Sequence, residues 1–307
     1  DGSADTPYLI SGVGQLAAFA SVVNGGETDV HAKLMNDIVI QTDVLKNDGT
    51  LNGNGSNFME WTPIGSFGTN GEMAYTGTFD GNGHTISGLY VNGGSYVGLF
   101  GYLGSGGKIQ NVGVVDSYIS GSSNVGGVCG YNNNSGTITN CYNTGTVSGG
   151  YAGGVCGYNN GTITNCYNTG TVSGRDVGGV CGYNDNSGTI TNCYNTGAVS
   201  GVTAGGVCGW NDNGKITNCY NTGTVSGGYA GGVCGYNGGT IENCYFLSGT
   251  ATGGIGGSGG TATNVEGKTE EQFTSGEAAW LLNGASVGAW LQDMKNNMPV
   301  LLDNLPE

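Results

Sequence analysis

The chain has 307 residues, of which 66 are glycine and only four are proline. This glycine content indicates a repetitive architecture dense in turns rather than an ordinary globular domain. The 22 acidic residues outnumber the seven lysines and arginines, which gives a formal net charge of -15 at pH 7. Such a charge repels nucleic acid and anionic lipid, so neither is expected as a partner.

The sequence also lacks the patterns that direct a chain into or across a membrane. It has no run of 18 or more apolar residues, and Asp1 is not followed by a basic region and an apolar stretch. We therefore expect no direct membrane insertion, and we expect the chain to be a mature or trimmed form.

Residues 1–62 are predicted to form an N-terminal capping segment with a helix and the first strands. Leu16, Phe19 and Val22 or Val23 recur at helical spacing, and an Asn-Gly pair of the kind that ends helices follows them. Because the uncovered end of a stack of strands is adhesive, a helix at this position is expected to cover that end.

Residues 63–124 are predicted to form divergent coils of the repeat that follows. The segment FDGNGHTI ends on an inward-facing isoleucine, Ile86, and Gly98 to Gly101 align with the GVCG block of the later repeats. Phe100 and Val112 stand where those repeats have cysteine. Apolar replacements at both sites indicate that the cysteine positions are buried.

Residues 125–248 contain five near-identical units of about 26 residues. Each begins with GGVCGYN or GGVCGWN and continues into a GxIxNCY block. The spacing from each second cysteine to the next first cysteine is always 15 residues, whereas the spacing within a unit is 10 to 12. All length changes therefore fall in one polar Asn-Gly segment, which is predicted to be an exposed loop. The cysteines form two columns, Cys129, Cys156, Cys181, Cys208 and Cys234, and Cys141, Cys166, Cys193, Cys219 and Cys244.

A unit this short cannot bury its own apolar face, but coils that stack at about 4.8 Å place identical positions in ladders. The predicted fold is therefore all-β, a right-handed parallel β-helix of about seven coils with short helical segments covering the ends. Inward ladders are expected at Ile138, Ile163, Ile190, Ile216 and Ile241, and at Val147, Val172, Val199 and Val225. A corner ladder of side-chain amides is expected at Asn140, Asn165, Asn192, Asn218 and Asn243.

Residues 249–307 are predicted to form a C-terminal capping segment with a short helix and an edge strand. The pattern from Thr274 to Glu277 is that of a capping box, and it predicts a helix through Trp280 and Leu281. The last apolar run, 299–302, is predicted to be the edge strand.

The GVCG copies and the GxIxNCYNTGxVSG blocks that follow them resemble the GLUG motif, a repeat of large bacterial surface proteins, including regions alongside IgA-type peptidases. The resemblance covers about residues 97–248, and the segments before them also resemble what precedes such repeats. It implies a parallel β-helix that is secreted or held on a bacterial cell surface, with roles in adhesion. It carries no catalytic residue onto this chain.

A search for catalytic groups gives no complete set. A metallopeptidase needs a ligand cluster such as HExxH, and the two histidines, His31 and His84, lie in unrelated segments. No two cysteines are closer than ten residues, which is unlike the close CxxC pairs of zinc sites. We expect buried free thiols, with disulfides as the alternative in an exported protein. No cofactor or metal site is predicted beyond weak calcium binding.

The candidate ligand-binding residues are an aromatic column beside the variable loop and two acids in that loop. Asp185 and Asp212 occupy the same loop position in consecutive coils, as would a carboxylate pair or calcium ligands. Aromatic rings beside polar loops could hold glycans or a protein partner, although simple ladder stacking also explains them. The column consists of Tyr131, Tyr158, Tyr183, Trp210 and Tyr236, and a second column consists of Tyr142, Tyr167, Tyr194, Tyr220 and Tyr245.

These observations predict a non-catalytic, adhesin-like binding or spacer module, monomeric, whose partner is a host glycan or a surface or matrix protein. One alternative is a carbohydrate-binding or polysaccharide-cleaving β-helix that uses the Asp185 and Asp212 loops. Another is an accessory region of a larger surface peptidase.

Overall fold

The structure is a computed structural model that describes residues 1–68, 71–284, 288–293, 295 and 297–301. Strands pair in parallel from one repeat to the next on three faces, and together they form a parallel β-solenoid of about nine turns. The prediction of a parallel β-helix is confirmed. The additional turns arise because short strands of the N-terminal segment, Tyr8–Ile10 and Ala32–Leu34, also pair in register with the solenoid.

The first face carries two short strands per turn. The strands aligned with the isoleucine ladder are Thr78–Asp80, Lys108–Gln110, Thr137–Thr139, Thr162–Thr164, Thr189–Thr191, Lys215–Thr217, Thr240–Leu247 and Thr261–Lys268, preceded by Tyr8–Ile10 and Ala32–Leu34. The neighbouring strands are Ile38–Val39, Thr85–Ser87, Gly113–Val115, Tyr142–Asn143, Tyr167–Asn168, Tyr194–Asn195 and Tyr220–Asn221.

The other two faces complete each turn. The second face consists of Tyr90–Asn92, Ser95–Val97, Tyr118–Ser120, Ser123–Gly126, Thr146–Gly153, Val172–Gly178, Val199–Gly205 and Val225–Gly231. The third face consists of Phe100–Leu103, Cys129–Asn132, Cys156–Asn159, Cys181–Asp185, Cys208–Asp212, Cys234–Asn237 and Ile255–Ser258. Two antiparallel hairpins lie outside these faces, Ser66–Gly68 with Gly71–Met73, and Trp290–Gln292 with Pro299–Leu301.

The predicted ladders form the core. All five isoleucines of the ladder are fully buried and pair in register, and the valine ladder lies on the second face. All ten cysteines are buried free thiols. Phe100 and Val112, which occupy cysteine positions, are also buried. The core is therefore a continuous column of small apolar side chains with sulfur at two of its corners.

The corner asparagines adopt the left-handed backbone conformation that Asn tolerates, with φ of 51° to 55° in all five copies. Their amides bond along the ladder, as between Asn140 Nδ2 and Asn111 Oδ1 at 3.1 Å and between Asn192 Nδ2 and Asn165 Oδ1 at 3.3 Å. The predicted corner ladder is confirmed.

Two further asparagine ladders are fully buried and were not predicted. In each, the Nδ2 of one side chain donates to the Oδ1 of the next turn, for example Asn132 to Asn159 at 2.7 Å and Asn168 to Asn195 at 2.8 Å. Each amide also donates to a nearby glycine carbonyl, so its buried NH2 group is hydrogen-bonded. The ladders are Asn132, Asn159, Asn184, Asn211 and Asn237, and Asn143, Asn168, Asn195 and Asn221.

The second glycine of each GVCG block stands at a corner where two faces approach closely. A Cβ on Gly157 would lie 2.4 Å from the backbone nitrogen of Val125, and one on Gly182 would lie 2.7 Å from that of Ala152. No other residue fits such an approach without moving backbone. This contact fixes the third face against the second and sets the position of the aromatic residue that follows the glycine.

Helical segments lie near both ends of the solenoid, and they pack against it differently. The N-terminal helix Val13–Asn24 buries Leu16, Phe19 and Val23 in the main core. The C-terminal helices, Glu270–Thr274 and Glu277–Leu282, belong to a separate apolar cluster on the outer side of the first face.

The start of the C-terminal helical segment differs from its prediction. The capping box is formed by Thr269 and Gln272, which open the first short helix, rather than by Thr274 and Glu277. The second helix begins after Gly276, whose φ of 89° reverses the chain between the two helices. Pro299–Leu301 is a strand as predicted, and among the described strands its one partner is Trp290–Gln292; the predicted last residue, Leu302, lies outside the described residues.

Candidate ligand-binding face

The predicted aromatic residues form one column on the third face, which we call the outer aromatic column. Its members pair in register from turn to turn and are half-buried. Ring centroids lie 5.0 Å apart between Tyr131 and Tyr158 and between Tyr158 and Tyr183, with planes within 15° of parallel. The column widens to 6.2 Å between Tyr183 and Trp210, and Trp210 lies 4.4 Å from Tyr236.

The variable loop supplies a polar partner for successive rings. The hydroxyl of Tyr158 donates to Asp185 Oδ2, and that of Tyr183 donates to Asp212 Oδ2 at 3.0 Å. One turn earlier, the hydroxyl of Tyr131 instead accepts from Asn160 Nδ2 at 3.1 Å. The structure therefore brings the two predicted acids and the predicted rings together.

The phenols of Tyr158 and Tyr183 stay protonated at neutral pH. Burial, followed by the hydrogen bond to Asp185, raises the pKa of Tyr158 well above its usual range. Burial, followed by the hydrogen bond to Asp212, also raises the pKa of Tyr183. The hydroxyls of these rings are thus hydrogen-bond donors to the two acids, and the loop places carboxyl groups beside a polar aromatic border.

A second row of side chains flanks the column on the second face, and it was missed in the sequence. Tyr151 lies 5.1 Å from Tyr183 between ring centroids, in a tilted arrangement. In the next turns its position is taken by Asp176, Thr203 and then Tyr229. The sequence did contain a signal, because this is a position where otherwise near-identical repeats differ.

Asp176 is the one buried carboxylate of this flanking row. Its side chain is 5% exposed, and Oδ2 lies 3.4 Å from Nε of Arg175, whose side chain extends into solvent. Thr203, which follows it, is also buried, whereas Tyr229 is 55% exposed. Along the flanking row, an aromatic ring at Tyr151 is followed by two short polar side chains and then by a second ring at Tyr229.

The stacking restricts what the column can recognise. Rings stacked face to face at about 5 Å cover one another's faces, so they present edges and hydroxyl groups to solvent. The step between Tyr183 and Trp210 has the longest centroid distance in the column. The arrangement suits a ligand with many hydrogen-bonding groups and a small apolar patch.

The second tyrosine column runs along the outer side of the first face. Tyr142, Tyr167 and Tyr194 stack at 4.8 Å, within 8° of parallel. The C-terminal segment covers its later members, since Trp290 packs edge-on against Tyr220 at 5.3 Å and the Tyr220 hydroxyl donates to the Pro299 carbonyl at 2.8 Å. Only the earlier part of this column faces solvent.

The groups considered for metal binding are spread over the molecule. Within the described part of the chain, no cluster of three or more His, Cys, Asp or Glu side chains is placed to hold a metal ion. His31 Nδ1 accepts from the Thr78 amide at 3.2 Å, and His84 Nδ1 lies 3.4 Å from Asp37. No helix among the described residues is long and apolar enough to cross a membrane.

Comparison with known sequence families identifies the repeats. The sequence model of the GLUG motif matches four consecutive segments, residues 121–148, 148–173, 173–200 and 200–226. This chain carries GLUG-motif repeats. The boundaries of the GLUG matches fall on the second face, so that each match spans one full turn of the solenoid.

Two relatives are similar in sequence to part of this chain. The chain is 36% identical over 160 residues to halomucin from Haloquadratum walsbyi, and 30% identical over 122 residues to a candidate Gly-rich membrane protein from Evansella cellulosilytica. These matches cover 51% and 39% of this chain. They span only 2% and 12% of the two relatives, which are far longer proteins.

One solved structure resembles the whole chain. It is the crystal structure of a candidate immunoglobulin A1 protease from Bacteroides ovatus, with a TM-score of 0.73 and 26% identity. The similarity covers 98% of this chain and 94% of that one. The overall fold of this chain therefore recurs in that structure.

Proposed function

We propose that this chain is a non-catalytic, extracellular binding module, held on a cell surface or secreted, whose GLUG solenoid presents the outer aromatic column to a host glycan or a surface or matrix protein. The observation that carries the proposal is the bonding of Tyr158 and Tyr183 to Asp185 and Asp212, which lines a regular edge with polar groups. The names of the relatives, halomucin and a Gly-rich membrane protein, support surface display.

The test is binding of the purified chain to arrays of glycans, mucins and matrix proteins, with and without calcium. Trp210→Ala opens the wide step of the column and is expected to weaken saturable binding. Tyr167→Ala, which removes a similarly stacked ring from the other column, is the matched control and should bind as the native chain does. Equal loss in both variants, or no binding to any surface, would leave a passive spacer as the better description.

The polysaccharide-cleaving alternative depends on the same two acids. Their Cα positions are paired on adjacent strands, so they lie about one strand spacing apart, close to the separation of acid pairs in retaining glycosidases. Each carboxylate already accepts a tyrosine hydroxyl and a contact from the neighbouring asparagine. This use of the oxygens favours a positioning role over acid and base catalysis.

The peptidase alternative is tested separately. The solved neighbour is named as a candidate immunoglobulin A1 protease, and the chain resembles nearly all of it. We expect the purified chain to leave immunoglobulin A1 intact, because the sequence contains no peptidase motif. Cleavage that disappears in a variant of this chain would replace the binding proposal with an enzymatic one.

A further inference from the structure

The outer aromatic column holds phenol rings in pairs that cannot easily separate. Tyr158 and Tyr183 stand on adjacent strands in exact register, with ring centroids 5.0 Å apart and planes 12° from parallel. Both rings are half-buried, so they are held by their neighbours but remain accessible at the edge. Two ring carbons next to the hydroxyl groups therefore face each other across the stack.

The two hydroxyls also have proton acceptors in place. Tyr158 donates to Asp185 and Tyr183 donates to Asp212, each acid lying one turn further along. Loss of an electron makes a phenol strongly acidic, so a carboxylate already bonded to it can take the proton without rearrangement. This combination of stacking and proton acceptor is a different feature from ligand binding, and it does not depend on the proposed partner.

We propose that Tyr158 and Tyr183 are a site of oxidative dityrosine cross-linking, with hydrogen peroxide and a haem peroxidase supplied from outside the chain. Each phenol gives one electron to the peroxidase and its hydroxyl proton to the bonded carboxylate. The two phenoxyl radicals form one carbon–carbon bond at their ortho positions, and the two ortho protons move to the oxygens to restore both phenols. The pair loses two electrons and two protons, and hydrogen peroxide is reduced to two waters.

The product would join adjacent turns covalently at the surface. The buried cysteine columns offer no comparable route, because their thiols are fully enclosed. A cross-link between Tyr158 and Tyr183 closes a loop that contains one complete turn of the solenoid, which restricts the unfolded chain. An extracellular rod would thereby gain resistance to unfolding and proteolysis under oxidising conditions.

The column contains its own matched comparison. Tyr131 and Tyr158 are also 5.0 Å apart, and their planes differ by 15°. The Tyr131 hydroxyl, however, is bonded to the amide of Asn160, which is no base. Equal stacking with unequal proton acceptors predicts that the Tyr158–Tyr183 product forms faster than the Tyr131–Tyr158 product.

The experiment treats the dilute full chain with a haem peroxidase and hydrogen peroxide. The monomeric fraction is isolated, its dityrosine fluorescence is measured, and cross-linked peptides are mapped by mass spectrometry. The expected product joins Tyr158 to Tyr183 within one chain. Tyr183→Phe, which keeps the ring and the stack, should abolish it, whereas Tyr229→Phe, which removes an exposed phenol outside the column, should not.

The role of the acids is tested with Asp185→Asn and Asp212→Asn, which keep a side chain of the same shape. Each should slow formation of the Tyr158–Tyr183 product several-fold, and circular dichroism should confirm that the variants fold as the native chain does. Dityrosine found only between separate chains, or only at exposed tyrosines such as Tyr229, would overturn the proposal. Unchanged rates in both asparagine variants would overturn the role of the acids.

Discussion

The two ends of the solenoid are finished in different ways. At the N-terminal end, helix Val13–Asn24 places Phe19 in the main core, where its ring lies 5.8 Å from Tyr75 and 5.9 Å from Phe79. At the other end, the last rung of the first face, Thr261–Lys268, has no strand on its free edge among the described residues. The C-terminal segment lies instead on the side of the preceding turns.

The difference shows in the burial of the ladder positions. Val265 and Ile255 continue the two cysteine columns in the last turn, yet both are only half-buried, whereas all ten cysteines before them are fully enclosed. A helix inserted into the core thus ends the stacking, while the described part of the C-terminal segment docks on the side and adds no strand to the terminal rung. The N-terminal cover is part of the solenoid's stability, and the C-terminal segment is a separate unit resting on it.

The largest effect is expected from Phe19→Ala. The ring is 3% exposed and joins the helix to the first turns, so its removal should cost about 3–5 kcal/mol. Chemical denaturation followed by circular dichroism should show a lower midpoint for the whole solenoid. Phe67→Ala is the control, because that ring is 52% exposed and its loss should change the midpoint little. Similar midpoints for both variants would mean that the helix does not contribute to the core.

Trp290→Ala should destabilise the C-terminal segment about as strongly as Phe19→Ala destabilises the solenoid. It should lower the stability of the solenoid itself much less. The indole is 2% exposed, packs on Tyr194 and Tyr220, and donates to the Asn218 carbonyl at 3.2 Å. Its removal should release the C-terminal segment while the solenoid remains folded. Hydrogen exchange should rise across residues 269–284, 288–293 and 297–301 and stay slow in the isoleucine ladder. Loss of protection in both regions together would show that the two cores unfold as one.

Alkaline pH should loosen the same segment by a smaller amount. Burial, followed by the charge of neighbouring Tyr194, raises the pKa of Tyr220, and burial raises that of Tyr245 to about 12. Because the folded state favours the neutral phenols, the stability they contribute is complete below about pH 10, the value in an unfolded chain, and is lost as pH rises towards the folded pKa. Denaturation of the segment, followed by tryptophan fluorescence between pH 8 and 11, is expected to shift above pH 10. Tyr220→Phe should reduce that shift.

How much of this could be read from the sequence depends on whether a residue repeats. Ile190 and Asn192 were placed correctly because stacking forces identical residues of successive units into one column. The buried ladder of Asn195 was missed, although it repeats as strictly, because an asparagine in a turn motif is ordinarily exposed. Contacts that occur once, such as the packing of Trp290 against Tyr220, produce no periodic pattern in the sequence and so were not predicted.

The candidate face was only partly predictable for the same reason. The repeat placed the rings of Tyr158 and Tyr183 in one column and put Asp185 and Asp212 in the adjoining loop. Which oxygen bonds to which hydroxyl depends on how the loop turns, and the loop is the segment whose length varies. Tyr151 of the flanking row lies in a short segment whose sequence differs between repeats. Its distance from the outer aromatic column is set by the close backbone approach at Gly182.

The smallest effect is expected at the open end itself. Ile255→Ala removes a half-buried side chain from the last rung and should cost about 1 kcal/mol, whereas Ile241→Ala, in a fully buried position of the ladder, should cost about 2–5 kcal/mol. Denaturant titration of both variants at low protein concentration makes the comparison. An equal cost would mean that the terminal rung is covered in solution. Repeating the titration at several protein concentrations would then identify what covers the rung. If a second copy of the chain covers it, stability rises with protein concentration; if the chain covers its own rung, stability does not change with concentration.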